Sequence, residues 1–411
     1  MERIVITGMG TVNPIGLDVE ETWKNIQAGV SGVGPISLFD STNLLVNIAC
    51  EVKNFNPEAY MPAKETRRRD RYEWFATAAS QQAIRQAGIN PSGINSGRIG
   101  VIFSSAIGGI TTLLDAFDTL QKEGPRRISP FVIPQFITDG AAGMISIDNG
   151  FIGPTMSIIS ACASGTDAIG MAWMMIKSGM IDIAITGASD AVISDFAMGA
   201  FDRIGACSRS NLDYSRTPQP FDKNRDGLVI GEGAAALVLE SESNARARKA
   251  EILAELAGYG ATSDAYHITA PREDGAGGAQ AMLMALHAAG ENPEALGYIN
   301  AHGTATVLND ASETQAIKSA FGKLAYNIPV SSTKSMTGHM MGATGALEAV
   351  LCVQAVRSGI LPPTIHYQTP DPACDLDYIP NIPRQKEVRL VISNSFGFGG
   401  HNAVIAVRKY K

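Results

Sequence analysis

The sequence predicts an α/β protein built from two similar halves, and three observations carry that prediction. Short apolar, β-rich runs alternate with longer stretches of helical periodicity, the pattern of parallel strands joined by helical crossovers. At 411 residues the chain exceeds one ordinary core. One segment also repeats. Cys162-Ala-Ser-Gly165 aligns with Gly342-Ala-Thr-Gly345 at an offset of 180 residues (342 minus 162), and the same offset aligns Lys177-Ser-Gly-Met-Ile181 with Arg357-Ser-Gly-Ile-Leu361.

In chain order, the first half offers strands at Arg3–Thr7, Ile99–Phe103, Ile181–Thr186 and Ala235–Leu239, with helices at Arg71–Gln86 and Ala163–Lys177. The second offers helices at Gly278–Ala288, Ser312–Ala320 and Ala343–Arg357, then strands at Val388–Ser393 and Ala403–Val407. Both repeated helices are opened by small residues and ended by Gly, the residue that tolerates a left-handed C-terminal cap. Each half closes with a Gly-rich turn into a strand: Gly231-Glu-Gly233 in one, Gly397-Phe-Gly-Gly400 in the other. The boundary falls in the polar stretch Glu240–Lys249, which divides the chain into domains 1–250 and 251–411.

Hydrophobic residues make up 45% and charged residues 18%, so the chain is globular and not disordered. A net charge of −7 argues against nucleic acid as a partner. The five cysteines, Cys50, Cys162, Cys207, Cys352 and Cys374, are odd in number, scattered and without a C-x-x-C pair. That usage fits free thiols in a reducing, cytoplasmic compartment and offers no metal-ligand spacing. The N-terminus runs directly into the apolar Ile4-Val5-Ile6, so no targeting peptide is expected. Gly, Pro and Ser interrupt every long uncharged stretch, so no membrane insertion is expected either.

The chemistry-bearing positions lie around the repeat. A strand-like run, Thr155–Ala161, delivers Cys162 to the start of a helix, where the dipole and free N–H groups favour a thiolate. The ordinary alternative is a small buried hydrophobe, the commonest fate of Cys. His302 (Ala301-His-Gly-Thr304) and His339 (Thr337-Gly-His-Met340) each stand beside Gly in a connecting segment, where functional residues concentrate; each could equally be a satisfied structural histidine. Lys334, in Ser332-Thr-Lys-Ser335, lies between apolar segments and needs a partner; Glu348, in the repeated helix, is the candidate, in a structural ion pair or a site. Asn394-Ser-Phe-Gly-Phe-Gly-Gly400 lacks the phosphate-loop pattern and could offer N–H groups to an oxyanion or be a plain turn. Asp310-Ala-Ser-Glu313 reads as a capping box opening a helix.

Taken in order, Ala161-Cys-Ala-Ser-Gly165, Phe221-Asp-Lys-Asn-Arg-Asp-Gly227, Ala301-His-Gly-Thr304, Ser332-Thr-Lys-Ser-Met-Thr-Gly-His339 and Asn394–Asn402 resemble the motifs of the β-ketoacyl-acyl carrier protein synthases. The resemblance spans essentially the whole chain from Ile4-Val-Ile-Thr-Gly-Met-Gly10. The Cys-His-His set resembles the elongating branch, and Lys334-Ser-Met-Thr-Gly-His339 its type II members.

The resemblance implies a thiolase-like fold, two duplicated halves stacked in five layers (αβαβα), and a homodimer. It implies decarboxylative condensation of an acyl thioester with malonyl-acyl carrier protein, without metal or redox cofactor. Cys162 would carry the acyl group, His302 and His339 would face the malonyl carbonyl, Lys334 with Glu348 would set the local charge, and the N–H groups of Cys162 and Phe398 would hold the oxyanion. Thr304 and Thr306 resemble residues along the pantetheine arm; Ile107 and Phe398 resemble the wall and gate of the acyl pocket.

An acidic carrier protein needs a local basic surface on this acidic chain. Lys64, Arg67, Arg68 and Arg69 form one run and Arg126-Arg127 a second; otherwise they are solvated helix faces. The departures are His401 in place of a common Thr, a longer Ser215–Asp222 segment and Thr344 in place of a common Ala, all expected to leave the catalytic set untouched. Two other readings share some residues: a ketosynthase subunit of a polyketide pathway, and a cysteine hydrolase or binding-only thiolase relative.

Overall fold

A computed structural model describes residues 2–90 and 93–411. Ten strands carry the architecture: β1 (Ile4–Val12), β2 (Ile99–Ser104), β3 (Thr155–Met156), β4 (Ile183–Asp190) and β5 (Gly233–Ser241), then β6 (Ala254–Ser263), β7 (Leu296–Asn300), β8 (Val330–Ser331), β9 (Leu390–Gly397) and β10 (His401–Arg408). The first five are ordered β1-β5-β4-β2-β3 and the second five β6-β10-β9-β7-β8, so each strand has its counterpart five places later. Directions repeat as well: the first two pairings in each set are antiparallel and the last two parallel. The sheet is therefore mixed and not uniformly parallel, because β5 and β10 return beside β1 and β6. The two sets join where Val5 and Ile6 of β1 pair with Glu255 and Ala254 of β6.

Six helices cover these sheets: α1 (Arg71–Ala87), α2 (Gly140–Asn149), α3 (Ser164–Lys177), α4 (Ala276–Ala288), α5 (Val307–Phe321) and α6 (Ala343–Ser358). The repeated helices α3 and α6 lie between the two half-sheets, and each packs on strands of both. Helices α1 and α2 cover the outer face of the first half, α4 and α5 that of the second, which completes five layers. The central layer is the most apolar: Ile169, Leu347, Val350 and Leu351 are at most 1% exposed. Burying each contributes about 2 kcal/mol, so a polar replacement here would lose the stack before the site.

The sequence-based elements lie where expected to within a few residues, and α1 is capped as its residues dictate, with Asp70 and Glu73 forming a reciprocal capping box. Among the elements not anticipated were β6, α2 and the helices Val19–Gln27, Ile110–Glu123 and Asp195–Arg203. Strand β6, AELAGYGATS, lacks the usual β-branched signal. Its Gly258 and Gly260 pass directly under α4, where a Cβ would run into the carbonyls of Ala285 and Ala281.

Helices α3 and α6 meet at their repeated glycines. A Cβ on Gly165 would collide with the carbonyl of Gly342, and one on Gly345 with the hydroxyl of Thr166. This backbone-to-backbone approach brings the segment before α3 beside the segment before α6.

Candidate active site

Cys162 lies in a single 3-10 turn, Ala161–Ala163, just ahead of α3. The expected strand Thr155–Ala161 ends at Met156, where its pairing with β2 stops, and Ala161 is held at φ 52, a left-handed conformation that an L-residue adopts at a cost. The turn is secured from both sides: Ser164 Oγ accepts from the Ser160 N–H at 3.0 Å and donates to the Ala161 carbonyl at 2.7 Å, and the Ser160 hydroxyl donates to Asp167. From the other half, β9 approaches so closely that a Cβ on Gly397 would lie 2.7 Å from the Ser160 carbonyl and 3.1 Å from the Cys162 nitrogen. That approach brings Phe398 over the turn, and the N–H groups of both Phe398 and Cys162 stabilise the sulfur's negative form.

Burial nonetheless pushes the Cys162 thiol up to about 11, against the opposing pull of Lys334 and the two N–H groups, while Asp190 adds to the rise. The expectation that a helix start by itself yields a thiolate is thus corrected: in this enclosed position desolvation outweighs it. Asp190, at the end of β4, is wholly buried and accepts from the Ser105 hydroxyl at 2.7 Å and from the N–H groups of Ala106, Ile107 and Ala343. Its desolvation holds it up to about 6.

His302 follows β7. Its N–H and that of Gly303 donate to the Glu313 carboxylate at 2.8 and 2.7 Å, and Glu313 also accepts from the Asn394 amide at 3.0 Å. His339 is fixed through its backbone, N–H to the Val229 carbonyl at 2.7 Å and carbonyl to the Gly231 N–H at 2.9 Å. The two rings stand edge to face with centroids 5.5 Å apart. Burial first, then the Lys334 charge, holds His302 well below the usual imidazole range and His339 down at about 3. Both are neutral near pH 7, so each ring has one N–H to give and one lone pair to offer. Nδ1 of His302 and Nε2 of His339 are buried without a protein partner.

Lys334 is 1% exposed and donates to Glu348 Oε1 at 2.7 Å; desolvation lifts Glu348 to about 7 against that cation. The pair sits behind the histidines and reaches the site through its field. A cavity of about 270 Å³ gathers Cys162, His302, His339, Phe398, Thr304 and Thr306 on its walls. Thr304 and Thr306 pair their hydroxyls at 3.0 Å. Ile107 is not on these walls. It packs one step back, in the cluster that contains the cavity residues Met341 and Phe201.

Two sequence readings change here. Asp310 and Glu313 do not open a helix: α5 begins at Val307 with Thr306 as its cap, so both carboxylates fall inside it, buried. Asp310 accepts from the N–H groups of Phe221 and Ala305, as Glu313 does from the His302 loop. The available signal was their spacing, one helical turn apart on the face that also buries Ile317. Thr344 does touch one of the candidate residues, since its Oγ1 lies 3.1 Å from Nδ1 of His339.

Among the basic runs, Lys64, Arg67, Arg126 and Arg127 are exposed. Arg68 lies over the Phe131 ring at 5.0 Å, which brings the run at 64–68 toward the segment that carries Arg126 and Arg127. Arg69 leaves the surface: it is 4% exposed and paired with Asp148 at 2.6 Å. No cluster of three or more His, Cys, Asp or Glu able to hold a metal occurs among the described residues.

Residues 1–245 match the family model described as β-ketoacyl synthase, N-terminal domain, and residues 253–368 its C-terminal domain. The chain is 46% identical over 410 residues to 3-oxoacyl-[acyl-carrier-protein] synthase 2 of Staphylococcus aureus (strain N315), covering 100% of this chain and 99% of that protein. Among solved structures, a β-ketoacyl synthase from Burkholderia phymatum STM815 superposes with a TM-score of 0.92 at 37% identity, covering 100% of both chains. A ketosynthase of a type II PKS, in complex with its acyl-carrier protein and bound to the hexaketide, superposes with a TM-score of 0.92 at 35% identity, again covering 100% of both chains.

Proposed function

The chain belongs to the β-ketoacyl synthase family, and from that membership we propose that it elongates acyl chains as a 3-oxoacyl-[acyl-carrier-protein] synthase II, with Cys162 as the acyl carrier. The observation that carries this reading is the turn at Cys162: a thiol with two N–H groups directed at it, on the wall of a cavity it shares with two neutral histidines.

In the first step the Cys162 sulfur attacks the thioester carbonyl of acyl-carrier protein. The N–H groups of Cys162 and Phe398 hold the developing oxyanion. The carrier's sulfur leaves and takes up the proton that Cys162 gives, so the step is a thiol exchange. In the second, malonyl-carrier protein loses its carboxylate as CO₂. His302 and His339, neutral and therefore able to donate, stabilise the enolate oxygen. The enolate carbon then bonds to the Cys162 acyl carbon and the C–S bond breaks, so the negative charge passes to the Cys162 sulfur, which takes a proton from solvent. Lys334, paired with Glu348, adds to the burial that keeps both imidazoles neutral, and it eases formation of the sulfur anion.

The acidic carrier protein docks on Lys64, Arg67, Arg68, Arg126 and Arg127 and threads its arm past Thr304 and Thr306. Division of the chain near residue 250 follows the strand sets, which end at Ser241 and resume at Ala254. A homodimer is supported by β3, an edge strand of the sheet, with Ile152 and Ile159 on either side of it 77% and 55% exposed. A cytoplasmic setting is supported by the five free cysteines, and no described helix is long and apolar enough to cross a membrane.

The deciding experiment gives purified protein a graded series of acyl-carrier proteins with malonyl-carrier protein and reads product mass. One two-carbon extension per turnover is expected; free acid without extension would make the protein a hydrolase. The likeness to a polyketide ketosynthase favours a second reading, and products extended repeatedly without intervening reduction would support it.

A further inference from the structure

Thr344 sits in the first turn of α6, 2% exposed, with its hydroxyl 3.1 Å from Nδ1 of His339. A neutral imidazole carries one proton, on Nδ1 or on Nε2, and the partner of one nitrogen decides which. Were the proton on Nδ1, it would go to Thr344, and the hydroxyl's own hydrogen would be buried without an acceptor. No other hydrogen bond of that hydroxyl is found among the described residues. Were the proton on Nε2, Thr344 would donate to Nδ1 and the pair would be satisfied. The remaining N–H would then be on Nε2, which is the His339 nitrogen without a protein partner.

We propose that Thr344 is a positioning residue for His339: its hydroxyl donates to Nδ1 and holds the imidazole as the Nε2–H tautomer, the form able to donate to a substrate oxygen. This rests on the malonyl-step role assigned to His339 above. The other tautomer would present a lone pair to the enolate oxygen and repel it. Ser164, at the matching position in α3, spends its hydroxyl on the backbone of the nucleophile turn, so a hydroxyl at this position serves a different part of the site in each half.

The test joins a spectrum to kinetics. Isotope-edited nitrogen NMR of histidine-labelled protein, with the His339 signals assigned by loss in His339→Gln, should find the proton on Nε2. Thr344→Val keeps the shape and removes the donor. It should slow CO₂ release from malonyl-carrier protein about tenfold, the worth of one neutral hydrogen bond, leave acylation of Cys162 at its wild-type rate, and show mixed tautomers. Thr344→Ser should restore both readouts. A proton found on Nδ1 in the wild-type protein overturns the proposal, and so does equal slowing of acylation and decarboxylation in Thr344→Val, or failure of Thr344→Ser to restore. The wild-type spectrum needs no Thr344 variant, so a Thr344→Val that does not fold leaves the proposal exposed to refutation. A wild-type protein that releases no CO₂ would sink the functional reading while the spectrum still judges the tautomer.

Discussion

The starts of α3 and α6 are the same structural device put to different work. Both helices follow an irregular segment, both carry glycine where they touch, and both place a hydroxyl two residues after the position of Cys162 or its counterpart Gly342. In the first half that hydroxyl, Ser164, braces the turn that presents a thiol. In the second, Thr344 reaches a histidine ring. Two equivalent helix starts lie in backbone contact, and in the proposed mechanism a few differing side chains divide the chemistry: covalent capture on one side, charge stabilisation on the other. A two-step reaction suits such a division, because each step can be tuned without moving the shared backbone.

The division can be broken most completely at Cys162. Cys162→Gln should abolish condensation, because the amide cannot accept an acyl group, and should leave malonyl decarboxylation measurable, because the second half is intact. Product from a contaminant-free preparation would remove Cys162 from its role.

The next effect tests the other side. His302→Ala and His339→Ala each remove a donor that strengthens only as CO₂ leaves, so each should lower CO₂ release by roughly 10²–10³ and still allow an acyl group to form on Cys162. Acyl-enzyme by mass and CO₂ release are scored separately. A variant that decarboxylates normally but fails to acylate would make that histidine a base for the thiol.

A smaller effect sharpens how far the halves reach into each other. Cys162, in the first half, is raised to about 11 by burial while Lys334, from the second, pulls it down. The thiol is therefore protonated at neutral pH, and its alkylation rate should climb as pH rises, without a plateau short of about 11. Lys334→Met removes the downward pull and should move the climb to higher pH. A plateau near neutrality would mean that the turn's N–H groups outweigh burial. Lys334→Met also leaves Glu348 buried without its cation, so its folding is checked by thermal denaturation.

What the sequence disclosed follows from the range of each interaction. The repeat, the α/β alternation, Cys162 at a helix start and the Gly-flanked His302 and His339 were legible because turns and helix starts write themselves into neighbouring residues. The mixed direction of the sheet was less so: β5 follows β4 only after residues 191–232, a connection that local pattern does not encode, whereas β10 folds back on β9 directly through the short Gly-rich turn at 398–400. Glu313 and Asp310 passed for a capping box because their partners, the N–H groups of His302, Gly303, Phe221 and Ala305, are brought to them only by the fold. Thr344 looked inert for the same reason. The state of the Cys162 thiol was misjudged because the helix start is local and visible, whereas enclosure by β9 and Phe398 is not.

The smallest effect concerns the surface, where the halves also divide their labour. Every basic residue assigned to docking, Lys64, Arg67, Arg68, Arg126 and Arg127, belongs to the first half, whereas Thr304 and Thr306 on the cavity wall belong to the second. A carrier protein must then be gripped by one half while its arm is received by the other. Arg67→Glu with Arg68→Glu should raise the KM for carrier-protein substrates several-fold and leave kcat and the turnover of small carrier-free thioesters unchanged. Folding should tolerate the change: Arg67 is exposed, and the Arg68–Glu65 pair at 3.0 Å is partly solvated and worth at most about 1 kcal/mol. Salt separates grip from damage. At about 1 M ionic strength the screening length falls to about 3 Å, so the wild-type KM should rise toward that of the variant and the gap between them should close. A gap that persists in high salt, or an equal loss on carrier-free thioesters, would show that the substitutions disturb the cavity and that the first half does not hold the carrier protein through these charges.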